Sequence, residues 1–123
     1  MTMYCRGIRG ATTVETNTKQ AIVEATRELL DKLVEANQID PNDVGSIFFT
    51  ATPDLDAEFP AVAARQLGWS DAAMLCAHEM GVPGSMPMCL RILIHWNTMR
   101  SAADIKHIYI RGAQGLRPDR ASV

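Results

Sequence analysis

The chain has 123 residues, 47% of them hydrophobic and 21% charged, and a formal net charge of -2. That length suits one domain with a core of its own, since about 150 residues bury roughly two thirds of the unfolded surface. The small net charge excludes a field that would gather nucleic acid or an anionic membrane, and no apolar run reaches the roughly 18 residues a spanning helix needs.

In chain order, Met3 to Gly10 alternates Tyr4, Arg6 and Ile8 against Cys5, Gly7 and Arg9, the period of a strand. From about 18 to 36 the period changes. Ile22, Thr26, Leu29, Leu30, Leu33 and Val34 share one helical stripe, with Asn17 and Gln20 spaced as a capping box. "IDPNDV" is a turn with a short helical start at Pro41, and "VGSIFFTAT" (44–52) is a second strand. Pro60 is placed as the first residue of a short helix, "PAVAARQLGW". "AAMLCAHEM" (72–80) reads as a third strand, and two prolines and two glycines make "GVPGSMP" a loop. "MCLRILIHWNTM" (88–99) fits either period and is read as a strand. Leu90, Ile92, Ile94 and Trp96 then face the core, with Cys89, Arg91, Leu93 and His95 behind them. "IKHIYI" (105–110) repeats the arrangement, Ile108 and Ile110 inward, His107, Tyr109 and Arg111 outward. The expected fold is α+β: a five-stranded mixed sheet packed against one long helix plus short helical segments, one domain over 1–123.

Nine of the twelve basic residues are arginine, whose planar fork matches a carboxylate or phosphate as lysine does not. If the long helix covers one sheet face, the other presents Arg9, Arg91, Tyr109 and His107. That face is too polar for a dry core. Gly7 and Gly10 beside Arg9 suggest room kept for something bound. A small subunit cannot easily wrap a polar pocket alone, so a second copy is the expected cover, with the pocket at an interface of a cyclic oligomer. The first residues lack the basic start and apolar centre of a signal peptide. Cys5, Cys76 and Cys89 show no pairing signature, so free thiols in a reducing, cytoplasmic setting are expected.

Five segments in order resemble the AroH-class chorismate mutases: "RGIRGATTVE" (6–15), "TATPDLDAEFPAVAARQLGW" (50–69), "CAHEM" (76–80), "CLR" (89–91) and "HIYIRGAQGLRPD" (107–119). The match is collinear over nearly the whole chain. The resemblance implies a homotrimer with a pseudo-barrel core and an active site at each subunit interface. It also implies the reaction, rearrangement of chorismate to prephenate on the shikimate route to phenylalanine and tyrosine, with no cofactor and no metal. This Claisen rearrangement breaks a C–O bond while a C–C bond forms within one molecule. What helps is a fixed diaxial geometry and positive charge at the ether oxygen and the two carboxylates.

By the same resemblance, Arg91 matches the cation reaching the ether oxygen and one carboxylate, and Arg9 and Tyr109 match groups at the side-chain carboxylate. Glu79 matches the carboxylate that hydrogen-bonds the ring hydroxyl, and Cys76 a cysteine near that hydroxyl. Phe59 matches an apolar wall against the ring. Arg65 and Arg117 match cations near the ring carboxylate and the pocket mouth, and Leu116 helps a tail close the pocket. Residues 112–123 are expected to form that mobile tail, with Gly112 and Gly115 as hinges. Three departures stand out: Val62 where relatives often carry lysine, Leu75 in place of a hydroxyl residue, and a chain one residue shorter between Leu67 and Gly68.

Three other readings compete. Cys76 and His78 share a strand face, as in a thiol enzyme, yet nothing in the sequence orients His78. Cys76, His78 and His95 lack the spacing of a metal site. A trimeric module could hold a small dicarboxylate without turning it over.

Overall fold

A long antiparallel ladder organises the molecule, whose computed structural model describes residues 2–116. Strands β1 (Tyr4–Thr13) and β4 (Cys89–Thr98) pair along their full lengths, from Tyr4 opposite Thr98 to Thr13 opposite Cys89. Strand β2 (Val44–Ala51) pairs antiparallel on the other side of β4. Two parallel edges complete the sheet: β3 (Ala73–His78) beside β2, and β5 (Ile108–Tyr109) beside β1. The order is β3-β2-β4-β1-β5, a mixed five-stranded sheet in an α+β fold as the periodicities indicate. Helix α1 (Lys19–Asn37) packs across one face, and the short α2 (Ala61–Gln66) lies between β2 and β3 in sequence.

The core lies between the sheet and α1. Leu29, Leu30 and Leu33 meet Ile8, Ile47, Phe49, Leu90, Ile92 and Ile94, each at most 2% exposed. The alternation expected for β4 is the one observed, Leu90, Ile92, Ile94 and Trp96 all buried. β1 runs to Thr13 rather than stopping at Gly10, because β4 offers backbone partners that far. Gly10 faces α1: a Cβ there would come within 3.0 Å of Leu33 and 3.1 Å of Leu29. Its missing side chain therefore lets the helix close on the sheet, and the room expected beside Arg9 is not Gly10's doing.

Several boundaries differ from expectation for identifiable reasons. The cap of α1 is Thr18, whose hydroxyl accepts from Ala21 N at 3.1 Å. Asn17, one residue earlier, is recruited elsewhere: its Oδ1 accepts from Asp56 N and Ala57 N, each at 3.0 Å. Gln20 bonds Glu24 one turn along the helix, so no capping box forms. Pro60 is the flank of α2, not its first residue, and the helix ends at Gln66, short of Trp69, because Gly68 turns with a φ of 87°.

β5 is two residues, not the six of "IKHIYI". The chain before it is claimed by side chains. The fully buried Asn37 accepts from Lys106 N at 2.8 Å and donates to Lys106 O at 2.9 Å, and Arg9 N donates to His107 Nδ1 at 3.0 Å. After Ile110 the chain turns at Arg111, φ 53°, into a 3-10 helix over Arg111–Leu116. Arg111, not Gly112, supplies that turn. Gly112 instead sits close to Thr13, where a Cβ would come within 3.0 Å of the threonine methyl, and the Thr13 hydroxyl accepts from Gly112 N at 3.1 Å. Among the described residues no helix is long and apolar enough to cross a membrane.

Candidate active site

The sheet face away from α1 carries two adjacent cross-strand rows. One runs Tyr109, Ala11, Arg91, Thr50 over β5, β1, β4 and β2. Two residues along, the next runs Arg9, Leu93, Phe48, Leu75 over β1, β4, β2 and β3. Strand alternation puts each row's side chains on one side. The cations thus stand over a floor of Phe48 and Leu93, in a cleft of about 310 Å³ lined also by Thr50, Tyr109 and Leu116.

Each side chain is held differently. Tyr109 points outward as expected, yet it is only 3% exposed, because the 3-10 helix folds back and packs Ala113 and Leu116 around it. Arg111 anchors that helix, its Nε 3.0 Å from Glu28 Oε1 on α1 and its second nitrogen 3.3 Å from Oε2. Arg9 remains exposed.

Glu79 follows β3, and its backbone N–H donates to Ala51 O at 2.9 Å, extending the β2 pairing by one residue. Its carboxylate accepts from the Thr50 hydroxyl through Oε2, while Oε1 lies 3.5 Å from Arg91 Nε. Arg91 is 44% exposed and Glu79 24%; such a half-open pair orients more than it stabilises. Cys89, two residues before Arg91 on β4, is buried, and burial pushes its thiol pKa up, with the charge of Arg91 pulling the other way. A neutral thiol is thus favoured behind the guanidinium.

The other expected site residues lie apart. Phe59 and Cys76 line a second cleft of about 550 Å³ with Lys19, Leu55, Ala77 and His78. The Phe59 ring is 66% exposed, whereas Cys76 is half-buried against the core. Thr50 of the first cleft and Ala77 of the second are cross-strand partners on β2 and β3. Arg65 is exposed on α2 and borders neither cleft. Arg117 and the rest of the expected tail lie outside the described residues. His78 belongs to the second cleft, whereas His95 stands on β4 with its Nδ1 2.8 Å from Ser46 Oγ and its ring edge-on to Phe48.

One participant escaped the sequence reading. Thr50 occupies the alternate position to Phe49 on β2 and faces the same way as Arg91. The even-numbered register of "SIFFT" was a signal for it, but the β2–β4 pairing that brings it to Arg91 is not written in either segment.

Two guanidinium groups, a tethered carboxylate and a buried phenol near an apolar floor form a candidate site, chemically suited to a small organic anion, on the open face of an α+β sheet. Residues 5–120 match the family model for chorismate mutase type I. Over 118 residues, 95% of this chain, the sequence is 49% identical to chorismate mutase AroH of Thermus thermophilus and 43% identical to that of Bacillus subtilis, covering 97% and 93% of those proteins. A solved chorismate mutase from Clostridium thermocellum superposes with a TM-score of 0.87 at 49% identity, over 89% of this chain and 97% of that one. The chain belongs to the chorismate mutase type I family. It is an isomerase of aromatic amino acid biosynthesis.

Proposed function

We propose that this chorismate mutase performs its rearrangement on the open sheet face, with Arg91 as the principal cation. Chorismate to prephenate is a unimolecular change: the ether C–O bond breaks, a C–C bond forms, and no atom or proton is exchanged with the protein. The gain comes from holding the dianion in its diaxial form and from positive charge aimed at the oxygen that becomes negative as the bond breaks. Arg91 serves that oxygen and one carboxylate. Arg9 and Tyr109 hold the side-chain carboxylate, and Leu116 covers them. Glu79 takes the ring hydroxyl and keeps Arg91 turned toward the cleft. The observation that carries this reading is the meeting of Arg9, Arg91, Tyr109 and Leu116 in one cleft, with Glu79 paired to Arg91.

Phe59, Cys76 and Arg65 belong in this reading to the complementary wall supplied by a neighbouring copy in a homotrimer. Two features support it. Within one chain Phe59 and Cys76 line a different open cleft from Arg9, Arg91, Tyr109 and Leu116, and Phe59, Leu75, Met80 and Val82 are large apolar side chains between 56% and 83% exposed. Arg117 and residues 112–123 are assigned to closing the pocket. A cytoplasmic setting agrees with three free thiols.

The test follows the ultraviolet absorbance of chorismate with protein, then with EDTA and with a thiol alkylator. Decay that survives both treatments is expected. Loss under alkylation joined by loss in Cys76→Ala, which removes the thiol without adding bulk, would favour a thiol mechanism at Cys76. For the shared site, Arg91→Ala and Arg65→Ala subunits are refolded together. Activity above that of either variant alone is expected, and none would refute a pocket built from two copies.

A further inference from the structure

We infer that Thr50 is a positioning residue of this enzyme, fixing the orientation in which the Glu79 carboxylate faces Arg91 and the substrate. Three observations converge on it. Thr50 is the cross-strand partner of Arg91, so the two side chains rise from neighbouring points of one sheet face. Its hydroxyl donates to Glu79 Oε2, which leaves Oε1 alone on the side of Arg91. Glu79 is also bound to β2 through its backbone N–H on Ala51 O. The glutamate is therefore tied to β2 at both ends, main chain and carboxylate.

The physical need for such a tie is plain. Glu79 lies beyond the end of β3, at the start of a segment rich in glycine and proline, and a free glutamate side chain has three rotatable bonds. Without the Thr50 hydroxyl the carboxylate could turn fully onto Arg91, lowering the positive charge offered to the substrate, or swing into solvent. With Oε2 occupied, one lone oxygen stays available to orient the guanidinium and to accept from the substrate hydroxyl. Threonine is also well suited to the place: its branched Cβ fits a strand and leaves the hydroxyl few orientations.

This inference rests on Glu79 and Arg91 acting on bound chorismate as proposed above, and the test separates the two. Thr50→Val keeps the shape and removes the hydroxyl; Thr50→Ser restores it. Turnover by T50V is expected to fall roughly tenfold or more, the scale of a lost hydrogen bond to a charged group, with KM changed by at most about threefold and the melting temperature and oligomer mass retained. T50S should recover most of the loss. If T50V does not fold, T50A removes the same hydroxyl with less bulk and carries the same expectation. The deciding arm places the change in an E79A background, where loss of the Thr50 hydroxyl should have no further effect. Undiminished turnover in the valine variant, or an equal loss with and without Glu79, overturns the role of Thr50 while leaving the site assignment standing. Full turnover by E79A alone overturns the site assignment, and the role of Thr50 with it.

Discussion

Arg91 Nε stands 3.5 Å from Glu79 Oε1, although the two residues come from β4 and from the segment after β3, with β2 between them in the sheet. The pair is half-open to solvent, so its contribution to stability is small, about 0–1 kcal/mol as is typical of exposed ion pairs. Its effect is directional. A guanidinium has five donors in a planar fork, and a carboxylate beside Nε turns that fork in one direction.

With Arg91 in the proposed role, its replacement by alanine should lower turnover far more than binding, because a contact to the ether oxygen would strengthen as that oxygen gains charge. Loss of one preorganised donor of this kind costs about 2.7–4 kcal/mol, or roughly 10²–10³ in kcat. Arg91→Lys should not restore it, since an ammonium cannot reproduce the fork. Steady-state rates on chorismate check both. Unchanged kcat with a raised KM would assign Arg91 to ground-state binding alone.

A charge placed at Leu75, 58% exposed in the row of Arg9 and Phe48, tests the assembly. Leu75→Asp should shift the species seen by sedimentation to a smaller mass and lower activity in parallel. An active monomer would disprove the shared pocket.

Asn37 should be among the costliest polar residues to replace. It is fully buried at the end of α1 and satisfies both backbone groups of Lys106, besides donating to Leu33 O. Asn37→Leu removes the partners of the Lys106 N–H and C=O, at about 0.5–1.5 kcal/mol for each hydrogen bond lost. The drop should be read as a lowered urea midpoint at fixed protein concentration. Because Lys106 leads into β5, Tyr109 should loosen before the rest of the sheet.

Acid should reveal the turn that precedes β4. A hydrogen bond from Thr52, aided by one from Met88 N, holds the Asp54 carboxyl below its ordinary 3.8. A folded-state value below the unfolded one means that the stabilisation is present above that pH and is lost as pH falls through the folded value. The gap in urea midpoint between wild type and Asp54→Asn should accordingly be open at pH 7 and narrow below pH 3.8. A constant gap would remove the titration of Asp54 from the cause.

The alternation of apolar residues was enough to place β1, β2 and β4 and to assign the inner faces of β1 and β4, since burial on one side of a sheet imposes a period of two on the sequence. The site was legible in the same way for Arg9, Arg91 and Tyr109, which share the outer face. What resisted reading depended on contacts from distant segments. Asn17 and Thr18 are both competent caps, and only the 56–57 loop decides between them. "IKHIYI" has the pattern of a strand, but Asn37 takes the backbone of Lys106 and His107 takes that of Arg9. The pairing of Glu79 with Thr50 and Arg91 needs a parallel strand brought beside an antiparallel one, and no local spacing announces that.

β4 lies at the centre of the sheet, bonded antiparallel on both sides, and this has a consequence for how the enzyme fails. Amide protons around Arg91 should be among the slowest to exchange, because releasing them requires both flanking ladders to part at once. Heat should then leave Arg91 in place until the whole sheet gives way, so that, with Arg91 in the proposed role, inactivation and global melting coincide.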